Sequence, residues 1–151
     1  MFKKILIPID SSKEATAAGQ FAIDLARLCG ASAVALHVAP PFQIPYFEDF
    51  VRPPEMTRDQ WQTGLRNAAE RRFESLKDAA RDAGVPFSAE CVFAENAAEA
   101  VVSAAKSYGC DLIVIGPRGR GGVADYLLGS VTARVLSGSK VSTLVHRAPS
   151  S

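Results

Sequence analysis

The residues of this chain best suited to bind an anion lie in a glycine-rich segment near the C-terminus. The segment reads Gly116-Pro117-Arg118-Gly119-Arg120-Gly121-Gly122, and a glycine-serine pair, Gly129-Ser130, follows it. Glycine permits positive φ and a close approach of the backbone to a ligand. A helix that opens at Gly129-Ser130 would direct its free N–H groups and the positive end of its dipole outward. This combination predicts a phosphate site.

Side chains around this segment add charge and hydroxyl groups. Arg118 and Arg120 could supply positive charge, because an arginine fork matches the geometry of a phosphate. Ser130 and Thr132 could add hydroxyl donors. Asp10, at the end of an earlier apolar run, could accept hydrogen bonds from ribose hydroxyls or help to hold Mg²⁺. These residues predict a mononucleotide site assembled from two loops.

Neither common nucleotide fingerprint is present. The P-loop pattern G-x-x-x-x-G-K-[ST] does not occur, and no G-x-G-x-x-G follows the first apolar run. Scattered glycines usually reflect simple turn chemistry. Here the glycine segment follows a continuous apolar run and ends at a helix start, which favours binding over a plain turn.

Alternating strands and helices must position these loops. Apolar runs predict strands at 5–9, 33–38, 87–93, 112–115 and 143–145, and helical patterns occupy 11–29, 57–83, 96–108 and 130–136. Ser11, Thr57 and Asn96 are the expected N-caps, and Gly30 and Gly84 the expected helix ends. The alternation predicts one α/β domain over 1–151, a doubly wound, open, parallel, Rossmann-like sheet. Ligands bind such sheets beyond the carboxyl ends of the strands, where Asp10 and the glycine segment lie.

The bulk composition excludes several classes of protein. The 151 residues carry 17 basic and 16 acidic side chains, a net charge of +1, so we expect no general nucleic-acid binding. No stretch approaches the ~20 apolar residues of a membrane span. The first apolar run is too short for a secretory signal. Cys29, Cys91 and Cys110 form no C-x-x-C pair. We therefore expect a soluble cytoplasmic protein with free thiols.

Residues 40–55 break the alternating pattern. This stretch holds Pro40, Pro41, Pro45, Pro53 and Pro54, interspersed with four aromatic residues, Phe42, Tyr46, Phe47 and Phe50. Proline at this density excludes a regular helix or a central strand, so we expect an ordered surface loop. Its aromatic side chains could cover a ligand, meet a partner or pack on the domain's own flank.

The glycine spacing resembles the ATP-binding signature of the universal stress proteins. The matching residues are Gly116-x2-Gly119-x9-Gly129-Ser130. The opening 4–12, the run 111–116 and the turn 127–131 are also similar to the first strand, fourth strand and phosphate turn of that family. The resemblance covers essentially the whole chain.

The resemblance implies a fold, a ligand and an assembly. It implies five parallel strands in the order 3-2-1-4-5 with four helices, ATP or another adenine nucleotide as ligand, and a homodimer through the last strand. It also implies the site residues. Pro8, Ile9 and Asp10 would line the adenine and ribose end, the Val38 backbone would meet adenine, and Gly116 would lie by the ribose. Arg118, Gly119, Gly129, Ser130, Val131 and Thr132 would surround the phosphates.

Three features depart from the family pattern. Ser11 replaces a common glycine, and Pro117 removes an N–H donor from the glycine segment. The last strand begins Val141-Ser142-Thr143 rather than after a proline, and His146 interrupts its apolar end. We expect His146 to be an edge or interface residue. His37, inside the second strand, is expected to have a structural, hydrogen-bonded role.

Three function classes are open from the sequence. The first is a regulatory protein for the stress response, in which bound ATP changes dimer or partner surfaces. The second is a slow ATPase or a nucleotidyl-transferring enzyme, and the third a nucleotide-free dimeric adaptor. Phosphoryl transfer needs precise charge placement and an oriented nucleophile. The sequence shows no P-loop lysine and no base beyond Asp10, which favours binding over turnover.

Overall fold

The computed structural model describes residues 1–43, 46–47, 50–51, 57–119 and 127–149, with backbone only for 46–47 and 50–51. The predicted contributions of Arg120, Gly121 and Gly122 lie outside the described residues. So do Pro45, Pro53 and Pro54 of the proline-rich stretch.

Seven strands and four helices alternate along the described chain. They are β1 (Lys4–Pro8), α1 (Lys13–Cys29), β2 (Ser32–Ala39), β3 (Tyr46–Phe47), β4 (Phe50–Val51), α2 (Arg58–Ala83), β5 (Phe87–Phe93), α3 (Ala97–Ser107), β6 (Leu112–Ile115), α4 (Ser130–Gly138) and β7 (Ser142–Val145). β3 and β4 form a separate antiparallel pair within the proline-rich stretch, which the sequence pattern did not predict.

The main sheet has the order β5-β2-β1-β6-β7, and every neighbouring pair is parallel. In terms of the five predicted strands this order is 3-2-1-4-5, so the predicted fold class is confirmed. The order reverses at β1, between β2 on one side and β6 on the other. Parallel sheets of this kind bind ligands at such a reversal.

Helices cover both faces of the sheet. On the α1–α2 face, Ile5, Ile7, Ile23, Phe73 and Leu76 belong to one buried cluster. On the α3–α4 face, Leu6, Leu36, Val101, Ile113 and Val135 belong to a second. Because β1 and β6 are covered on both sides, their sequences are continuous apolar runs rather than alternating ones.

Three of the four helices begin at a side-chain cap. Thr57 and Gln60 form a capping box for α2, and Asn96 caps α3 through Glu99 N. The prediction that Ser11 caps α1 is wrong: Ser12 is the cap, and its Oγ accepts from Ala15 N at 3.1 Å. Asp10 Oδ1 accepts from Ser12 N at 2.8 Å, and this turn delays the helix by one residue.

The described part of the proline-rich stretch packs on the domain itself. The ring of Phe42 meets Trp61 of α2 edge-on at 5.6 Å, and Trp61 lies 6.0 Å from Phe93 of β5. Phe42 therefore packs on the flank of its own domain. Among the described helices, none has the length and apolarity that a bilayer crossing requires.

Candidate functional site

A pocket of about 400 Å³ opens at the carboxyl ends of β1, β2 and β6, against the start of α4. Its position is the reversal of strand order at β1. Of the residues that the sequence analysis assigned to a ligand site, Arg120 lies outside the described residues, and the other eleven line this pocket. They are Pro8, Ile9, Asp10, Val38, Gly116, Arg118, Gly119, Gly129, Ser130, Val131 and Thr132. The structure thus brings together two segments that lie more than a hundred residues apart.

Two parts of this pocket differ in construction, and we name them separately. The strand end comprises Ile9, Asp10, His37 and Val38, at the ends of β1 and β2. The loop end comprises Arg118, Gly119, Gly129 and Ser130, where the segment after β6 meets the first turn of α4.

Hydrogen bonds hold the strand end. Ile9 N donates to Leu36 O at 2.8 Å, and the Ile9 carbonyl oxygen lies 2.9 Å from His37 Nδ1. Arg72 Nη1 of α2 lies 2.8 Å from His37 Nε2. Because a guanidinium can only donate, Nε2 must accept, and the proton of the neutral ring must sit on Nδ1 and point at Ile9 O. The predicted hydrogen-bonded role of His37 is confirmed.

The charge state of His37 agrees with these bonds. Burial lowers the pKa of His37 and the nearby Arg72 guanidinium lowers it further, whereas the bond to Ile9 O and the Asp10 carboxylate act in the opposite direction. The ring is 9% exposed, so its charged form would be poorly solvated. His37 is therefore neutral at neutral pH.

Asp10 is the strand-end residue that lies beside the loop end. Its Oδ1 accepts from Ser12 N, and a Cβ placed on Gly119 would collide with its Oδ2. The absence of a side chain at Gly119 therefore lets the carboxylate and the loop backbone lie side by side. No cluster of three or more His, Cys, Asp or Glu side chains that could hold a metal ion occurs in the described ranges.

The loop end is shaped by backbone rather than by side chains. Gly129 N donates to Pro117 O at 2.8 Å, which ties the two halves of the segment together. A Cβ on Gly129 would lie 3.0 Å from Arg118 Cα, and a neighbouring backbone cannot move aside as a flexible side chain can. Pro117 itself is not a lining residue; its carbonyl group supports the loop from behind.

The start of α4 is the one helix start, among the four described, without a side-chain cap. Gly129 occupies the N-cap position and makes no side-chain cap bond, and the first turn contains no acidic residue. The N–H groups of the first turn of a helix have no partner within the helix. Gly129, Ser130, Val131 and Thr132 all line the pocket, so these donors and the positive end of the helix dipole meet it.

Two side chains of the predicted site have roles that differ from the expectation. The Thr132 hydroxyl is buried, at 2% exposure, and donates to Gly116 O at 2.8 Å, so it fastens the loop instead of facing a ligand. Arg118 Nη2 lies 3.4 Å from Glu14 Oε1 of α1, which offsets part of its charge. Arg118 nevertheless remains at the pocket wall.

Sequence reasoning missed six lining residues: Ala15, Leu36, His37, Ala97, Val101 and Ile115. Leu36, His37 and Ile115 flank residues that were predicted, so the strand ends could have indicated them. Ala97 and Val101 belong to α3, and no sequence signal links that helix to the pocket. His146 is not a lining residue; its ring stacks on Phe21 of α1 at 4.6 Å.

Comparisons with known proteins agree with the fold. The profile of the Universal stress protein family matches residues 1–147. The universal stress protein YxiE of Bacillus subtilis is 31% identical over 150 residues, covering 97% of this chain and all of YxiE. The solved structure of MJ0577 from Methanocaldococcus jannaschii superposes with a TM-score of 0.81 at 28% identity, covering 100% of this chain and 99% of that one.

Two more distant solved structures contain ligands. A universal stress protein in complex with cAMP has a TM-score of 0.68 at 21% identity and covers 97% of both chains. The universal stress protein of Archaeoglobus fulgidus in complex with dAMP has a TM-score of 0.66 at 18% identity, covering 96% of this chain and 98% of that one. From the profile match along 1–147 and the close agreement in fold, this chain belongs to the universal stress protein family.

Proposed function

We propose that this protein binds an adenine nucleotide, preferentially ATP, and acts in the stress response through nucleotide-dependent surfaces rather than through turnover. The observation that carries the proposal is the uncapped start of α4, which meets a pocket whose glycines leave no space for a side chain. Backbone N–H groups at such a helix start favour a phosphate. Two proteins of this fold hold adenine nucleotides, cAMP and dAMP, which supports an adenine ligand.

In this proposal the adenine lies at the strand end, against the backbone of Val38. The ribose hydroxyls donate to the Asp10 carboxylate beside Gly116. The phosphates lie along the loop end, where the N–H groups of the first turn of α4 and the Ser130 hydroxyl donate to them. The pocket volume of about 400 Å³ falls within the usual range for small-molecule sites.

The residues present fit a magnesium ion only together with phosphate. Among the lining residues that the structure describes, Asp10 is the single carboxylate. Mg²⁺ is commonly bound by one or two carboxylates with substrate phosphates and water completing the shell. We therefore propose that Asp10 contributes to holding Mg²⁺ when the nucleotide is present.

The homodimer through β7 and the cytoplasmic location stay predictions. β7 is an edge strand that pairs only with β6 in the described sheet, so its outer edge offers backbone groups to a second strand. The residue after this strand connects to the pocket, because His146 N donates to Ile115 O at 2.9 Å and Ile115 is a lining residue. Analytical ultracentrifugation with and without ATP tests whether the nucleotide changes the assembly.

The first experiment identifies the ligand. The purified protein is denatured, any released nucleotide is identified by mass spectrometry, and the emptied protein is titrated by calorimetry with ATP, AMP and adenosine in the presence of Mg²⁺. Co-purified adenine nucleotide or micromolar binding supports the proposal. If no adenine ligand is released and none binds at millimolar concentration, the proposal is wrong and the adaptor hypothesis takes its place.

A glycine pair on α4 provides the matched variants. Gly129→Val should abolish measurable ATP binding, because its Cβ would meet the Arg118 backbone at 3.0 Å. A Cβ on Gly138, at the other end of the same helix, would meet no atom within 4 Å. Gly138→Val should therefore bind ATP as the wild type does. A Gly129→Val protein that is folded and retains ATP affinity would contradict the proposed phosphate position.

A further inference from the structure

A chain of polar groups crosses from the outer surface of α2 to the pocket. Arg72 donates to His37 Nε2 at 2.8 Å, and His37 Nδ1 donates to Ile9 O at 2.9 Å. Ile9 directly precedes Asp10, the strand-end carboxylate that lies beside the loop end of the pocket. Arg72 is 35 residues from His37 in sequence and does not line the pocket.

This chain determines where the Ile9 carbonyl group points. A carbonyl oxygen inside a protein needs a donor, and leaving it without one costs about 1–3 kcal/mol. Ile9 is 5% exposed, and its N–H already donates to Leu36 O. The Ile9 N–H bond anchors the preceding peptide in the sheet, and the bond from His37 to the Ile9 carbonyl orients the peptide that connects Ile9 to Asp10, on which the position of the Asp10 carboxylate depends.

We propose that His37 and Arg72 are positioning residues of the pocket, which hold the Ile9–Asp10 peptide in the orientation that binds a nucleotide. The inference rests on the proposed nucleotide binding and adds its regulation: only the neutral His37 ring can keep both bonds. A protonated ring donates from both nitrogens, so Nε2 can no longer accept from Arg72 and two positive groups face each other.

The charged groups around the His37 ring shift its pKa in opposite directions. Arg72 approaches from α2 and disfavours protonation, while Asp10 approaches from the turn after β1 and favours it. On β5, the residue paired with His37 is Cys91, whose thiol has a pKa raised by burial and is therefore uncharged at neutral pH. Burial is the largest influence, and it keeps the pKa of His37 below its ordinary value.

Four variants separate positioning from simple packing. His37→Asn keeps a donor near the position of Nδ1 but cannot titrate, and His37→Phe keeps a ring but no donor. Arg72→Met removes the guanidinium and keeps a long aliphatic side chain. Arg71→Met is the matched control, because it removes the same charge from the next residue of α2, where the side chain is exposed.

The measurement is the affinity for ATP and adenosine from about pH 5 to about 8, the range in which histidine titrates. Each affinity is divided by that of His37→Asn at the same pH, which cancels the titration of the phosphates. Thermal melting at each pH confirms that every variant is folded.

We expect the wild-type ratio to be constant above the pKa of His37 and to fall, by up to tenfold per pH unit, below it. Arg72→Met should lose most of this fall, because its protonated ring faces no second cation and still donates from Nδ1 to Ile9 O. His37→Phe should bind at least tenfold more weakly at pH 8, and Arg71→Met should follow the wild type throughout.

The inference is overturned if the wild type and His37→Asn have parallel pH profiles while both bind ATP. It is also overturned if folded His37→Phe binds as the wild type does. Those outcomes leave the proposed function intact. If the wild type binds no adenine ligand at any pH, the proposed function itself is wrong, and this inference falls with it.

Discussion

The strand end and the loop end of the pocket hold their shape by opposite means. At the strand end, a side-chain network of Arg72 and His37 holds one peptide group, that between Ile9 and Asp10. At the loop end, the absence of a side chain lets Gly129 approach the Arg118 backbone and Gly119 approach the Asp10 carboxylate, and the donors are the N–H groups of α4.

This difference assigns different tasks to the two ends. A network of directed hydrogen bonds suits the recognition of a flat, neutral group such as a base, where one misplaced partner is costly. A turn rich in N–H groups suits a phosphate, which accepts bonds from many directions. Changes at loop-end residues that do not approach Asp10 should therefore affect ATP and spare adenosine, whereas changes that disturb the strand end should affect both.

Among the tests of this division, the largest effect is expected at Gly119, the loop-end residue next to Asp10 of the strand end. A Cβ there collides with Oδ2 of Asp10, whose other oxygen is held by Ser12 N. Gly119→Ala should lower the affinity for ATP and for adenosine alike by about 100-fold, close to 2.7 kcal/mol. Calorimetric titration with both ligands measures it.

Gly64→Ala is the control for Gly119→Ala. Gly64 lies within α2, where a Cβ meets nothing within 4 Å, so alanine should leave binding unchanged and stabilise the fold by about 1 kcal/mol. If Gly119→Ala lowered the affinity for ATP but not for adenosine, Asp10 would act with the loop end. The boundary between the two ends would then have to be redrawn.

A smaller effect, on stability rather than on binding, is expected at Thr132. Its buried hydroxyl donates to Gly116 O, and Thr132→Val keeps the shape while leaving that oxygen without a donor. The free energy of unfolding should fall by about 1–3 kcal/mol. Chemical denaturation measures it, and Thr16→Val, at an exposed position of α1, should change it by less than about 0.5 kcal/mol.

The ATP affinity of Thr132→Val then decides whether the Thr132 hydroxyl contacts the ligand or only the protein. Because it bonds to the protein, ATP affinity should change by no more than a few fold. A large loss of ATP affinity with unchanged stability would instead restore the role that the sequence suggested, a donor to phosphate.

The sequence predicted the loop end better than the strand end, for a physical reason. A glycine required by a close approach stays visible in the chain: a Cβ on Gly129 would meet the Arg118 backbone, and one on Gly119 would meet the Asp10 carboxylate. The continuous runs of β1 and β6 are typical of strands covered on both faces. Those two signals predicted the parallel sheet and a phosphate site in the glycine segment, whereas Pro8, Ile9, Val38 and Val131 were assigned only through the resemblance to the universal stress proteins.

The strand end depends on packing that local sequence does not contain. The contact of Arg72 with His37 depends on how α2 lies across β2 and β5, and nothing in the charged surface of α2 distinguishes Arg72 from Arg71 beforehand. The same holds for Ala97 and Val101 of α3. The cap of α1 was missed by one residue because Asp10 forms a turn with Ser12 that capping spacing alone does not reveal.

The smallest effect is expected at Ser130. It gives the most selective test of whether the loop end recognises only the phosphates. Ser130 is exposed at the first position of α4, and no hydrogen bond of its hydroxyl is found among the described residues. In the proposed complex this hydroxyl donates to a phosphate, a single bond to a charged group worth about 1.5 kcal/mol.

Ser130→Ala should therefore lower ATP affinity about tenfold, should lower AMP affinity less, and should leave adenosine affinity unchanged. Ser137→Ala, near the other end of α4, removes a hydroxyl that bonds only to helix carbonyl groups and should alter none of the three. Equal losses for ATP and adenosine would mean that the hydroxyl faces the ribose or the base. The loop end would then contribute to recognising the nucleoside as well as the phosphates, and the two ends would share one task.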